Sequence, residues 1–181
     1  ISWKDFYVDF SKNRLSSSTL KLLIDLSNET DLKNNIEKYF DGSTINETEK
    51  RSVLHTALRS SKIKNPELKK EVEASIERIT SISDQINSGK KLGSTGKKIK
   101  NVVNIGIGGS HLGPDMVTEA LSYYSLGIKP HFVSNIDPDY TSKLLEKLDP
   151  ETTIFIIVSK TFTTIETLEN AKKIRKWFIE N

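Results

Sequence analysis

Cysteine is absent from all 181 residues of this chain. Its absence excludes disulfide bonds, thiolate catalysis and cysteine-based metal sites, and is typical of proteins from a reducing compartment. The fold must therefore rest on its hydrophobic core. A chain of this length with 35% hydrophobic residues can bury roughly 70% of the surface of its unfolded form, which is enough for at least one such core.

The sequence also lacks a long apolar run. One of the longest, at residues 154–158, falls far short of the roughly 18 residues that a membrane-spanning helix needs. Residues 1–10 lack the basic start, the apolar run and the small-residue cleavage site of a secretory signal. We therefore expect a cytoplasmic protein with no membrane partner. Because the chain begins with Ile instead of Met, we also expect it to be either trimmed or incomplete.

Charge of one sign is not in excess either. The 27 basic residues are interleaved with 24 acidic ones, which argues against a dedicated nucleic-acid partner. The three histidines, His55, His111 and His131, lie far apart without metal-ligand spacing, and no serine lies in a nucleophile-elbow motif. The sequence predicts neither a metal site nor a serine nucleophile.

Apolar residues in the first half of the chain have the spacing of amphipathic helices. They recur every three or four positions between residues 3 and 88, which is the helical period. The clearest examples are Leu20, Leu23 and Ile24, and Val72, Ile76 and Ile79. This spacing predicts an all-helical N-terminal region over residues 1–88.

Capping patterns indicate where two of these helices begin. Residues 44–47 have capping-box form, which predicts a helix from there through Leu58. Asn65 precedes Pro66, so a cap residue stands before a proline that suits the first turn of a helix.

Residues 89–100 form a connector that is rich in glycine and lysine and has little to bury. This composition predicts a loop. Its lysines suit a solvated connector, and the alternative is a rim that attracts anions to a nearby site.

After Lys100 the residue pattern changes and predicts alternating strands, loops and helices. Strands are predicted over residues 101–107, 131–134 and 153–158. The helices that follow them are predicted to begin near Pro114, Pro138 and Thr163. Threefold alternation of this kind predicts an open α/β fold with a parallel sheet flanked by helices, over residues 101–181.

Two loops of this α/β region are candidate ligand sites, because open α/β sheets bind ligands beyond the carboxyl ends of their strands. The first loop, residues 106–114, is rich in glycines, which let backbone amides approach a ligand. The second, residues 159–164, places four hydroxyls at the start of a helix, where free N–H groups attract anions. With a strand order of 2-1-3 both loops meet at one switch point. Their chemistry favours a phosphate monoester.

Structural roles are the alternative for both loops. Thr163 and Glu166 also have capping-box form, and the glycines suit a plain strand-to-helix turn. Lys160 lies either in solvent or against the phosphate.

A dinucleotide site is a weaker alternative. Its fingerprint, counted from Gly106 as the first position, needs a glycine at the sixth, where His111 stands. Asp137 before Pro138 has the form of a helix cap. The phosphate loop of nucleotide hydrolases fails too, because Gly96 and Lys97 are followed by a second lysine.

The two loops and the segments around them resemble the glucose-6-phosphate isomerase family. The resemblance begins with NVVNIGIGGS at residues 101–110 and LGP at 112–114. It continues, in the order of the family, through residues 116–121, 132–137, 149–153, 159–164 and 166–167. Upstream, residues 45–59 resemble the helical region of the family and residues 93–97 its connector, so the resemblance covers nearly the whole chain.

The resemblance implies a sugar isomerase (SIS) fold and the reversible conversion of glucose 6-phosphate and fructose 6-phosphate in glycolysis and gluconeogenesis. It implies no cofactor, and a homodimer for the full-length protein. By resemblance, the substrate-binding positions are Gly109, Ser110, Ser159, Lys160, Thr161, Thr163 and Thr164.

Two residues depart from the family pattern. His111 stands where the family usually has Asp, and Pro138 stands where Gly is common. We expect the orientation of the first loop to change slightly, with the substrate class unaffected.

The catalytic groups of the family match nothing in this chain. Its members run to several hundred residues, and their base glutamate, ring-opening histidine, arginine and lysine lie downstream of the segments matched here. Isomerisation needs a positioned carboxylate and an acid partner, and Glu166 suits a helix cap better than a base. We therefore assign no catalytic residue and expect a truncated α/β domain that is inactive alone. The alternative is a non-catalytic SIS-type module that binds phosphosugars and regulates a partner.

Overall fold

A computed structural model describes residues 1–59 and 62–181 of the chain. The chain divides into two compact units, Ile1–Glu77 and Arg78–Asn181, and the boundary falls within a helix. Ser60 and Ser61, which belong to the predicted helical region, lie outside the described residues.

The first unit contains two short strands as well as helices. Strands β1 (Ser2–Trp3) and β2 (Phe6–Tyr7) pair antiparallel. Helices α1 (Ser17–Glu29) and α2 (Leu32–Asp41) follow, and α3 (Pro66–Asn87) begins in this unit. The hairpin corrects the prediction of an all-helical region at its start.

The predicted helix over residues 44–58 is wrong, because these residues form turns. The side-chain oxygen of Asn46 accepts hydrogen bonds from the Thr48 hydroxyl at 2.8 Å and from the Glu49 N–H at 3.0 Å. Asn46 and Arg51 also exchange two backbone hydrogen bonds of 3.2 Å, and Lys50 between them has φ +50°. Asn46 therefore closes a tight turn, which competes with helix formation for the same backbone groups.

The predicted start of α3 is confirmed. Pro66 is its first residue, and the side-chain oxygen of Asn65 accepts from the N–H groups of Glu67 and Leu68 at 2.9 and 3.2 Å. These two donors have no partner inside the helix, so Asn65 satisfies them.

The second unit is built on a three-stranded parallel sheet. Its strands are β3 (Asn101–Ile105), β4 (Lys129–Val133) and β5 (Thr153–Ile157), in the order β4-β3-β5. Asn101 is in register with both Lys129 and Thr153. The first strand of this sheet therefore lies between the second and the third, which is the 2-1-3 order under which both candidate loops meet at one switch point.

Each strand leads into a helix through the predicted loops. The helices are α4 (Leu112–Ala120), α5 (Pro138–Leu145) and α6 (Ile165–Glu180). Pro138 occupies the first turn of α5, and the Asp137 side chain accepts from the Asp139 N–H at 2.9 Å, as its cap pattern predicts. The departure at Pro138 therefore fits the start of a regular helix.

The core of the second unit lies against one face of the sheet. Val103 and Ile105 of β3 and Val133 of β4 are almost fully buried. Leu145 from α5 and Ile174 from α6 join the same cluster. Alternate residues of a strand point to the same face, so the pattern of β3 presents Val103 and Ile105 to these helices. The sheet thereby fixes where its strands end and the loops begin.

The connector at residues 89–100 is anchored to the turn before β5. A β-carbon on Gly93 would lie 2.4 Å from the carbonyl oxygen of Glu151, and the Lys100 N–H donates to the Thr152 carbonyl at 2.8 Å. Lys97 pairs with the Glu151 carboxylate. This hydrogen bond raises the pKa of Lys97 and, together with one from Thr95, lowers the pKa of Glu151. Lys97 thus serves the structure of the connector, in keeping with the connector role favoured for this segment.

Among the described residues, no helix combines the length and the apolar content that a membrane crossing requires.

Candidate functional site

The glycine loop begins where β3 ends and makes a single turn before α4. The Gly106 N–H donates to the Val133 carbonyl at 3.1 Å and extends the pairing of β3 with β4. Gly108–Ser110 form a 3₁₀ turn in which the Ser110 N–H donates to the Ile107 carbonyl at 3.1 Å. Gly108 has φ +58°, a conformation that a residue with a side chain rarely adopts. The turn therefore depends on glycine at this position.

Gly106 is required for close packing. A β-carbon there would lie 2.8 Å from the β-carbon of Ser110 and 3.0 Å from the carbonyl oxygens of Ser110 and Val158. The two loops therefore approach each other at Gly106, since Val158 directly follows β5.

The outer side of the glycine loop is open. A β-carbon on Gly108 or Gly109 would meet no atom within 4 Å. Their N–H groups precede the first hydrogen bond of the 3₁₀ turn, and neither donates a backbone bond elsewhere in the described part of the chain. Two backbone donors thus stand at an accessible surface, which is the arrangement that anion sites use.

The second loop follows β5, and its hydroxyls bond to the loop itself. The Val158 N–H donates to the Ile105 carbonyl at 2.8 Å, which ties the start of this loop to β3. The Ser159 hydroxyl accepts from the Phe162 N–H at 2.9 Å, and the hydroxyls of Thr161 and Thr163 are 2.7 Å apart. Phe162 has φ +54°, so the loop makes a sharp turn there.

Helix α6 begins directly after this loop without a side-chain cap. Its cap residue is Thr164, and the Thr164 hydroxyl makes no capping hydrogen bond. The alternative of a capping box between Thr163 and Glu166 is therefore wrong, because the Thr163 hydroxyl pairs with Thr161 instead. Within the described part of the chain, no side chain caps the first N–H groups of α6, which carry the positive end of the helix dipole.

The structure places the seven predicted binding residues at one edge of the sheet. Gly109 and Ser110 follow β3, and Ser159, Lys160, Thr161, Thr163 and Thr164 follow β5. Because β3 and β5 are parallel neighbours, both loops emerge at their carboxyl ends. Lys160 is exposed beside the hydroxyls. The set offers backbone amides, neutral hydroxyls and one cation, which together suit a phosphate group.

His111 turns towards α4. Its Nε2 lies 3.2 Å from a carboxylate oxygen of Asp115, one helical turn later, and its ring lies against Phe132 with centroids 5.7 Å apart. The histidine is thus accommodated beside the loop by a polar contact with Asp115 and a ring contact with Phe132.

Sequence reasoning missed two side chains that hold the edge of the sheet together. Asn104 of β3 donates to the Ser110 carbonyl at 3.0 Å. Asn170 of α6, which is almost fully buried, donates to the Asn135 carbonyl at 2.8 Å and links α6 to the loop after β4. The available signal was polarity, because an amide in the middle of an apolar strand or at a core position of a helix needs a partner.

No group of three or more possible metal ligands occurs among residues 1–59 and 62–181.

A family model described as "Phosphoglucose isomerase" matches residues 9–181. The chain belongs to the phosphoglucose isomerase family. The resemblance drawn from the loop motifs is thereby confirmed.

Curated members of the phosphoglucose isomerase family are close to this chain in sequence. A glucose-6-phosphate isomerase of Christiangramia forsetii is 50% identical over an alignment that covers 100% of this chain and 34% of that protein. One from Helicobacter pylori is 50% identical, with 99% of this chain and 34% of that protein covered. The chain therefore spans about a third of the length of these relatives.

A solved structure of the family has the same fold. A crystal structure of a glucose-6-phosphate isomerase from Chlamydia trachomatis matches 92% of this chain and 33% of that chain, with a TM-score of 0.73 and 28% identity. The predicted fold class, an open α/β sheet of the sugar isomerase type, is confirmed by this match.

Proposed function

We propose that this chain is the N-terminal portion of a glucose-6-phosphate isomerase and that it binds the phosphate group of glucose 6-phosphate and fructose 6-phosphate. The observation that carries the proposal is the pairing of β3 with β5. This pairing brings the open glycine amides and the uncapped start of α6 to one edge of the sheet. Family membership supports the choice of a phosphorylated sugar as the ligand.

The proposed binding residues are Gly109, Ser110, Ser159, Lys160, Thr161, Thr163 and Thr164. Most of their donors are neutral, so they hold a dianion without the full strength of several ion pairs. The dipole of α6 adds a favourable interaction of about 0.3–1 kcal/mol with a negative charge at its N-terminus. This balance suits a substrate that must be bound and then released.

Proton transfer is proposed to lie outside this chain. Aldose-ketose isomerisation needs a carboxylate near C1 and C2 and an acid for ring opening. Neither loop contains a carboxylate, and the chain spans about a third of its relatives. We propose that the chain alone binds substrate and does not turn it over, and that the whole protein acts in the cytoplasm as a homodimer in glycolysis and gluconeogenesis.

Replacing the hydroxyls tests the binding site. Ser159→Ala with Thr161→Ala removes two donors worth roughly 0.5–1.5 kcal/mol each, so we expect glucose 6-phosphate to bind about several-fold to a hundredfold more weakly, as measured by calorimetry. Ser125→Ala is the matched control, because the Ser125 hydroxyl also accepts from a loop amide, that of Gly127, at 3.4 Å. Equal affinity of the double variant and the control would remove the binding assignment.

A chimera tests the catalytic part of the proposal. The chain is joined in frame to the remaining two thirds of the Christiangramia forsetii relative, and isomerase activity is compared with that of the chain alone. We expect activity only in the chimera. Turnover by the chain alone contradicts the assignment of catalysis to other segments, and a chimera that binds phosphosugar without turnover favours a non-catalytic regulatory module.

A further inference from the structure

Asn104 is a polar residue between two buried apolar residues near the carboxyl end of β3. Its neighbours Val103 and Ile105 are buried in the core, and Asn104 points to the opposite face of the sheet. A β-branched residue would suit this position better, because asparagine is disfavoured in strands. The presence of an amide here therefore requires a reason beyond the stability of β3.

The partner of Asn104 lies in the glycine loop. Its side-chain Nδ2 donates to the carbonyl oxygen of Ser110 at 3.0 Å, in a partly buried position. The bond joins the strand to the far end of the loop, just before α4 begins at Leu112. It ties back a carbonyl that lies outside the hydrogen-bond ladders of the sheet.

The hydrogen bond from Asn104 is one of several contacts that hold the glycine loop in its folded shape. Asn104 holds the Ser110 carbonyl, and Ser110 also packs closely against Gly106, where no side chain fits. Between these points the Ser110 and His111 N–H groups donate back to Ile107 and Gly108. These contacts hold the Ser110 end of the loop against the strand, while Gly108 and Gly109 remain exposed.

We propose that Asn104 is a positioning residue for phosphosugar binding. Its amide holds the Ser110 carbonyl, and through it keeps the Gly109 amide and the Ser110 side chain aimed at the ligand. Asn104 itself does not touch the ligand. This inference rests on the proposed function and adds to it the residue that orders the first of the two binding loops.

Variants of Asn104 and Asn101 separate positioning from strand stability. Asn104→Val and Asn104→Thr keep a residue that suits a strand but cannot reach Ser110. Asn101→Val is the matched control, because Asn101 lies at the other end of β3 and its side chain contacts His131 at 3.1 Å. Each variant is titrated with glucose 6-phosphate, and the amide signals of the glycine loop are followed by NMR with and without ligand.

We expect both Asn104 variants to bind glucose 6-phosphate about two- to tenfold more weakly, the effect of one lost hydrogen bond, and Asn101→Val to bind like the wild type. The free Asn104 variants should also show displaced Gly108 and Gly109 amide signals. In the wild type, a through-bond coupling between Asn104 Nδ2 and the Ser110 carbonyl carbon should be measurable, and this readout needs no variant.

Three results overturn the inference. Wild-type affinity with unmoved glycine signals in the Asn104 variants shows that the bond does not position the loop. Absence of the coupling in the wild type shows that the bond does not form. Failure of the wild type itself to bind glucose 6-phosphate overturns the proposed function first, and is distinguished from the other two results because it appears without any substitution.

Discussion

At the scale of one residue, a substitution of Gly109 should change ligand binding without changing stability. A β-carbon there meets no atom within 4 Å, so Gly109→Ala should leave the thermal stability of the chain nearly unchanged. The added methyl group would occupy the open side of the loop, where the phosphate is proposed to lie. We expect glucose 6-phosphate to bind about tenfold or more weakly in calorimetry, because hydrogen bonds to a charged group contribute about 1.5–3 kcal/mol each.

The control for this substitution is Gly113→Ala, which adds the same methyl group in α4, where it also meets no atom within 4 Å. Alanine is favoured over glycine inside a helix, so this variant should be equal to the wild type or more stable, with unchanged affinity. Equal binding by Gly109→Ala and Gly113→Ala would place the phosphate elsewhere.

Asp41 links the stability of the first unit to pH. Hydrogen bonds from Lys64 and Ser43 lower the pKa of its carboxyl group from 3.8 to about 2. A depressed pKa stabilises the folded state above the unfolded value near 4, and this contribution is lost as the pH falls through about 2. Asp41→Asn should therefore be less stable than the wild type near neutral pH, and the difference should shrink between about pH 4 and pH 2.

Urea denaturation between pH 2 and pH 7 measures this difference, with Asp5→Asn as a control that removes the same charge from an exposed position. A stability difference for Asp41→Asn that is constant over the whole range would contradict the role of its ionised carboxylate.

Single residues show how far sequence reasoning reaches. The glycines of the first loop were identifiable because their spacing after a strand is a local pattern. The role of Asn104 was not, because its partner Ser110 comes into reach only when the intervening loop has its folded shape. The contact of Gly93 with Glu151 is harder still, since it joins residues that are distant in the sequence.

The start of α3 offers a test at the scale of an element. Asn65→Ala removes the acceptor for the N–H groups of Glu67 and Leu68, which should cost about 0.5–2 kcal/mol of unfolding free energy in urea titrations. Asn65→Asp retains an acceptor and adds a charge that the helix N-terminus favours, so it should match or exceed the wild type. Equal losses in both variants would show that Asn65 acts other than as a cap.

Elements were predictable where local pattern and tertiary structure agree. The three strands followed from short β-branched runs separated by helical segments, although the first was predicted to extend to Ile107 and ends at Ile105. The chain turns at Gly108 instead, where φ is +58°. The order of the three strands entered only as a condition, because it depends on pairing between segments that are distant in the sequence. The prediction of a helix over residues 44–58 failed because the Asn46 side chain accepts a hydrogen bond within a tight turn. The capping-box pattern is compatible with such a turn as well as with a helix.

At the scale of the whole molecule, β5 forms an edge of the sheet with exposed apolar residues. Ile156 and Ile157 are 46% and 42% exposed, and an apolar cavity of about 330 Å³ opens beside them between Phe155, Ile157 and Phe178. Unpaired edges of this kind promote association with other strands.

Ile156→Lys should therefore reduce self-association of the chain in sedimentation velocity, because charged side chains on an edge strand oppose pairing with another strand. Tyr123→Lys adds the same charge at a residue that is 92% exposed and away from the edge, and should leave association unchanged. Identical association of both variants would show that β5 is not the contact surface.

The central position of β3 also determines when the sheet can form during synthesis. Of the three strands of this sheet, β3 is synthesised first. Its neighbour β4 is synthesised next, and its other neighbour, β5, last. Until the ribosome has delivered Val158, its N–H cannot bond to Ile105 and its carbonyl cannot pack against Gly106. The glycine loop therefore cannot complete its contacts before Val158 is made. Pairing of β3 with β5 over such a long sequence separation carries a loop-closure cost that slows folding. A pause in translation before β5 would leave β3 paired with β4 on one side and unpaired on the other, and an unpaired strand edge of this kind promotes association with other strands.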